Sequence, residues 1–303
     1  MKFRPFFSLA FVVLVAACGK TPAPKREKIW EEFSGEKALA HVQQLVDFGP
    51  RPPGSDALEK SRIYIENQLS IFGWKVTRQV FTGETPRGQV SFVNLVAQFD
   101  APGGNVPPPS FLLCSHYDTK LFDTVRFVGA NDGGSSTGLL LETARVLGRN
   151  PDLARKIELV FFDGEEAYDN FSETDGLYGS RYFAQQLEQT KTAARFRGGI
   201  VFDMIGDRSL VVTLPPDSPA QIARDIFTAA DALKVRDHFT YFDREITDDH
   251  TPLNAIGIPT IDLIDFDYPP WHTADDTIDK LSAQSLRVVG SVAVYYLSEF
   301  ALP

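Results

Sequence analysis

Apolar residues recur at helical spacing in several stretches of the chain. Ala38 to Phe48 places Ala40, Val42, Leu45 and Val46 at such spacing and stops at Gly49-Pro50. Ala57 to Phe72 carries Ile63, Ile65, Leu69 and Phe72 mostly on one face, with Ser55 or Asp56 available as a cap. Helices are further predicted over Ser135 to Leu147, Arg181 to Leu187, Pro219 to Leu233 and Ala283 to Leu297. Between them lie strand signals. Lys75 to Phe81 alternates, and Val90 to Phe99, Ser110 to Ser115, Gly199 to Met204 and Leu210 to Leu214 read as strands. Ile157 to Phe162 and Thr260 to Ile264 are largely apolar, the pattern of strands buried on both faces. Strands alternating with helices predict an α/β fold in three layers: a mixed, mostly parallel twisted sheet flanked by helices.

The N-terminus follows a different pattern. Lys2 and Arg4 precede an apolar run from Phe6 to Ala17, too short to span a bilayer, and the run closes on Val15-Ala16-Ala17-Cys18-Gly19. This resembles a bacterial lipoprotein signal, which implies residues 1–17 as a signal peptide, lipidation at Cys18, and an exported, lipid-anchored place in the cell envelope. A plain signal peptide with an incidental cysteine is the alternative. Residues 18–32, rich in Pro and Lys, read as a tether, and 33–303 as one catalytic domain. Cys114, the other of two cysteines, follows Phe111-Leu112-Leu113 and reads as a buried strand thiol. The formal charge of −10 argues against an extended nucleic-acid surface.

Six polar clusters stand at or near the ends of the predicted elements. They are Ser115-His116-Tyr117-Asp118, Gly129-Ala-Asn-Asp132-Gly-Gly134, Phe162-Asp-Gly-Glu165-Glu166, Phe202-Asp203-Met-Ile-Gly206, Thr247-Asp248-Asp249-His250 and Trp271-His272-Thr273. In α/β sheets, chemistry gathers beyond the carboxyl ends of the strands. Many carboxylates brought together are costly unless a cation neutralises them. His with Asp and Glu, and no cysteine pair, suits Zn²⁺ in an open catalytic site.

The clusters also carry a resemblance, over nearly the whole of the chain beyond its signal segment. Phe161-Phe-Asp-Gly-Glu-Glu-Ala167, Asp175-Gly-Leu-Tyr-Gly-Ser-Arg181, Phe127-Val-Gly-Ala-Asn-Asp132, Asp248-Asp-His250 and Trp271-His-Thr273 resemble the zinc aminopeptidase superfamily, and within it the animal-type glutaminyl cyclases and their bacterial relatives. The resemblance implies a zinc aminopeptidase-like fold. It also implies a peptide or protein substrate with N-terminal Gln, converted to pyroglutamate with loss of ammonia. One zinc would be held by Asp132, Glu166 and His272. Glu165 would be the general base, Asp203 with Asp248 a proton-sharing pair, and Trp271 and Phe171 the aromatic pocket wall. His116, oriented by Asp118, would lie beside the site without binding metal. The superfamily's aminopeptidases imply two zinc ions instead, with His116 and Asp203 added and Asp132 bridging. Asp248 preceding Asp249, and Trp271 before His272, lean to the cyclases. In this reading Asp249 and His250 only position the loop and cap the helix after it. Asp262 stands where the animal enzymes usually have a histidine, so a hydrogen-bonding partner is expected to be lost there. Asp265-Phe266-Asp267-Tyr268 is an acidic aromatic loop beside Trp271 that could favour a positive substrate tail. A monomer is expected.

Overall fold

The structure, a computed structural model, describes residue 1, residues 28–100 and residues 108–302. The signal segment, Cys18 and most of the expected tether lie outside the described residues. In chain order the elements are α1 (Gly35–Phe48), α2 (Asp56–Ile71), β1 (Trp74–Thr85), β2 (Gly88–Phe99), β3 (Phe111–His116), α3 (Gly134–Gly148) and α4 (Pro151–Ala154). There follow β4 (Ile157–Phe162), α5 (Tyr178–Gln189), β5 (Gly198–Asp203), β6 (Val212–Leu214), α6 (Ala220–Ala232), β7 (Phe239–Tyr241), α7 (His250–Ala255), β8 (Thr260–Ile264) and α8 (Ala283–Tyr296).

The strands form one sheet in the order β1-β2-β4-β3-β5-β8-β6-β7. Its centre, β4-β3-β5-β8, is parallel, and the β1–β2 hairpin is antiparallel to it. Side chains alternate across the sheet, as the pleat requires. Leu113, Leu159, Ile200, Ile261 and Leu263 join the core under α1, α2, α3, α6 and α8. Leu112, Cys114, Val160 and Val201 face the other way, toward Phe183 and Leu187 of α5 and Leu253 of α7. Cys114 is a free, buried thiol, as expected.

The ordered domain starts before residue 33. Ile29–Glu32 form a 3-10 turn with Ile29 and Trp30 buried. The Trp30 ring meets Tyr295 edge-on at 4.6 Å, and Ser291 Oγ of α8 donates to the Trp30 carbonyl. The end of the expected tether is therefore part of the core. Two apolar residues among charges carry no period, so packing alone identifies them.

Parallel register brings the chemistry to one edge. His116 pairs with Phe162, Cys114 with Val201, and Asp203 with Ile264. The carboxyl ends of the four central strands therefore sit at one level, and the loops after them share one space.

Candidate active site

A cavity of about 240 Å³ opens at that edge. It is lined by Asp132, Glu165, Glu166, Asp203, Asp248 and His272, under an aromatic wall that includes Phe171, Phe242, Phe266 and Trp271. The carboxylates are almost wholly buried, whereas Trp271 is 38% exposed at the mouth. Its ring stacks on His272 at 4.1 Å between centroids.

Each loop is held in place by groups that touch the ligating residues. Gly133, just before α3, has φ 72°. A Cβ there would stand 2.6 Å from the Asp118 carbonyl oxygen and 2.9 Å from the His116 ring, so glycine lets Asp132 approach His116. Asp276 accepts hydrogen bonds from the N–H groups of Asn131 (2.8 Å) and Asp132 (3.1 Å), and from the Tyr268 hydroxyl (2.8 Å). Asp118 accepts from the N–H groups of Glu165 (3.2 Å) and Glu166 (3.4 Å), while its Oδ1 lies 3.5 Å from His116 Nδ1. Fully buried Arg51 donates to the carbonyls of Tyr117, Val128 and Gly129 and ties the first two loops together. Burial lowers its pKa to about 10, so it stays a cation at neutral pH. His272 and Met204 have positive φ (55° and 46°), a conformation that costs energy and is concentrated at functional sites.

The histidine and carboxylate atoms converge. His272 Nε2 stands 3.3 Å from Asp132 Oδ2 and 3.2 Å from Glu166 Oε2. Glu166 Oε1 is occupied by the Lys120 N–H at 3.1 Å. Glu166 Oε2 and Asp132 Oδ2, the two atoms turned to His272, are buried with no hydrogen-bond partner. Two orphaned carboxylate oxygens and one imidazole nitrogen aimed at a common point fit a divalent cation. Two carboxylates, one histidine and a free position facing the cavity are a donor set suited to zinc. A second group shares Asp132: His116 Nε2 lies 3.2 Å from both Asp132 Oδ1 and Asp203 Oδ1. The residues of both the one-zinc and the two-zinc expectations are thus brought together.

Electrostatics separates these groups. Asp132 is buried, yet contacts with His116 and His272 hold its carboxyl well below the usual range. His272 loses solvation, but its two carboxylate neighbours raise it to about 9. Burial and then the neighbouring Asp132 raise Glu166. Burial raises Glu165 well above the ordinary value; His116 opposes the shift, and Glu166, Asp248 and Asp249 add to it. Burial, opposed by His116 and aided by Asp248 and Asp132, raises Asp203 to about 7.

Not every acid in the quoted stretches reaches the cavity. Asp163 turns away: its Oδ2 accepts from Arg62 (2.6 Å) and from the Val93 N–H (2.7 Å), locking β2 and α2 to the end of β4. Asp175 accepts from the Tyr168 and Asp169 N–H groups, which holds the loop bearing Phe171. In the acidic aromatic loop, Asp265 is buried and accepts from the Val211 and Asp267 N–H groups, while Phe266 faces the cavity. That loop offers mainly an apolar surface to the cavity. Sequence reasoning assigned no individual role to Asp276, Tyr268, Arg51 or Lys120. Asp276 lies in an ordinary acidic turn, and only its contacts distinguish it from a solvated carboxylate.

Fold and site define an α/β protein with a carboxylate–histidine cluster suited to a metal ion at the carboxyl edge of a largely parallel sheet. Residues 94–297 match Peptidase family M28, and the chain belongs to that family. It is 30% identical over 282 residues to a glutaminyl-peptide cyclotransferase-like protein of Bos taurus, covering 82% of this chain and 72% of the relative. A glutaminyl cyclase from an Acidobacteriales bacterium superposes with a TM-score of 0.81 at 30% identity, over 93% of this chain and 98% of the other. A Zn-dependent exopeptidase from Parabacteroides distasonis superposes with a TM-score of 0.78 at 27% identity, over 87% and 98%.

Proposed function

We propose that the chain is a glutaminyl-peptide cyclotransferase that closes an N-terminal Gln to pyroglutamate and releases ammonia. The observation that carries this is one cavity joining Glu165, the Asp132–Glu166–His272 group and the Asp203–Asp248 pair beneath an aromatic wall. Similarity to the cyclotransferase-like and cyclase proteins supports it.

Zinc held by Asp132, Glu166 and His272 would supply Lewis-acid polarisation of the substrate's γ-carbonyl. The residues of the chain do the rest. Trp271, Phe266 and Phe171 pack the substrate side chain, and holding it in one orientation makes an intramolecular attack by the α-amine efficient. The new bond joins the α-nitrogen to the side-chain carbonyl carbon, and the bond from that carbon to the amide nitrogen breaks. Glu165 takes the proton that the amine loses and delivers it to the leaving nitrogen, so ammonia departs and Glu165 is restored. Its raised pKa brings it nearer to that of an amine, which favours transfer in both directions. Asp203 and Asp248 accept hydrogen bonds from the leaving amide.

A single zinc is the reading favoured here. Asp203, raised to about 7 with Asp248 among the causes, carries a proton part of the time, and a protonated carboxyl is a poor ligand. The test is to incubate the domain with a Gln-initiated dipeptide amide and a leucyl chromogenic amide, and to measure zinc per chain. Loss of ammonia from the first substrate and one zinc is expected. Release of leucine with two zinc ions would replace this reading by an exo-aminopeptidase. The proposed setting is export and lipid anchoring through Cys18, supported by the sequence pattern, with the chain acting as a monomer. Palmitate labelling of the full chain, absent in Cys18→Ala, and light scattering of the soluble domain test it; an unlabelled full chain or a dimer would refute it.

A further inference from the structure

Behind the cavity lies a second gathering of acid and imidazole: Asp248 and Asp249 in the loop before α7, His250 at its start, and Asp262 in the middle of β8. All four are buried, Asp249, His250 and Asp262 fully. One oxygen of Asp248, one oxygen of Asp262 and one ring nitrogen of His250 lie within 4.8 Å of one another, and neither carboxylate can donate without a proton. Both oxygens of Asp262 lack any donor, as does Asp248 Oδ2. His250 does not supply one. Its Nδ1 is 3.7 Å from Asp262 Oδ2, beyond hydrogen-bond range, and its Nε2 is turned to Asp217 at 3.3 Å. Two neighbouring buried carboxylates with no cation between them are costly to ionise together.

The proton belongs on one side. Asp248 lines the cavity, and its Oδ1 accepts the Asp249 N–H at 2.5 Å. Asp262 has no donor and no access to solvent. The acids facing it are Asp248 and Asp249 from the loop before α7 and Asp203 from β5, and the imidazole beside it is that of His250. We propose that Asp262 is a positioning residue in its neutral, proton-bearing form, donating to Asp248 Oδ2 and so holding Asp248 in place as an acceptor at the cavity wall. The hydrogen-bonding partner expected to be missing at this position is thus restored by a carboxylic acid. Burial and the charges of Asp248 and Asp203 push the Asp262 carboxyl far above its ordinary value, in accord with this placement.

The inference rests on the cyclase reading only for what Asp248 does, and its test separates the two. Asp262→Asn keeps a donor in the same place, whereas Asp262→Leu removes it. On whichever substrate the wild type turns over, Asp262→Asn should stay within about threefold of wild-type kcat across the pH range. Asp262→Leu should lose tenfold or more in kcat with little change in KM. A carboxylic-acid carbonyl band in the infrared spectrum of the wild type at neutral pH, lost in Asp262→Asn, is expected whatever the substrate and whether or not the Leu variant folds. Absence of that band, or an Asn variant as impaired as Leu, overturns the proposal. So does loss of one bound metal equivalent on Asp262→Asn, which would make the cluster a cation site.

Discussion

Two clusters built from the same residue types meet at the Asp203–Asp248 wall and meet the cost of buried charge differently. In Asp132–Glu166–His272, the orphaned oxygens face an imidazole that is 18% exposed, and the centre opens to the cavity. In Asp248–Asp262–His250, the orphaned oxygens of Asp262 lie in the interior behind the cavity wall, and the imidazole turns its Nε2 away to Asp217. An open convergence of lone pairs suits a cation that must reach the substrate. A closed one is neutralised with a proton, which needs no coordination shell. Composition does not distinguish the clusters; access and the direction of lone pairs do.

The largest effect is expected from His272→Ala. It should lose bound zinc and turnover together, and zinc retained at the wild-type level would break the assignment of the front cluster. Next, Glu165→Gln should keep zinc and lower kcat by about 10²–10⁴, the range for removal of a general base; near-normal kcat would remove Glu165 from that role. The smallest effect is on stability. The folded-state pKa of Asp262 lies above its unfolded value of ~3.9, so the folded chain binds the extra proton. The stability this confers is present at low pH and is lost as pH rises from the unfolded value through the folded one, at up to about 1.4 kcal/mol per pH unit. Melting of the zinc-free domain should therefore show Asp262→Asn gaining on the wild type as pH increases from about 5 to 8. A gap that stays constant with pH would mean that Asp262 is ionised throughout.

The central strands were legible because their apolar runs have no competing period: Ile157–Phe162 and Thr260–Ile264 have the expected boundaries. The hairpin extends further than its pattern, to Thr85 and from Gly88, since its tip is polar and exposed and carries no apolar alternation. β7 is three residues long, too short for any pattern. Of the candidate residues, all those expected near the cavity line it or touch a residue that does. The assignment of Asp163 to the structure and of Asp265 to its own loop was not legible, because a carboxylate in sequence does not reveal which way it turns.

The order of elements, the buried strands and the clusters at their ends follow from the sequence by itself, since period and punctuation are local properties. Resemblance in those clusters added the ligand set. Only the tertiary structure decided that Asp276, Arg51 and Asp118 hold the loops, that Trp30 belongs to the core, and that Asp262 lies against Asp248. These depend on residues far apart in the chain meeting across a sheet, where burial and distance rather than residue type set the charge each group carries.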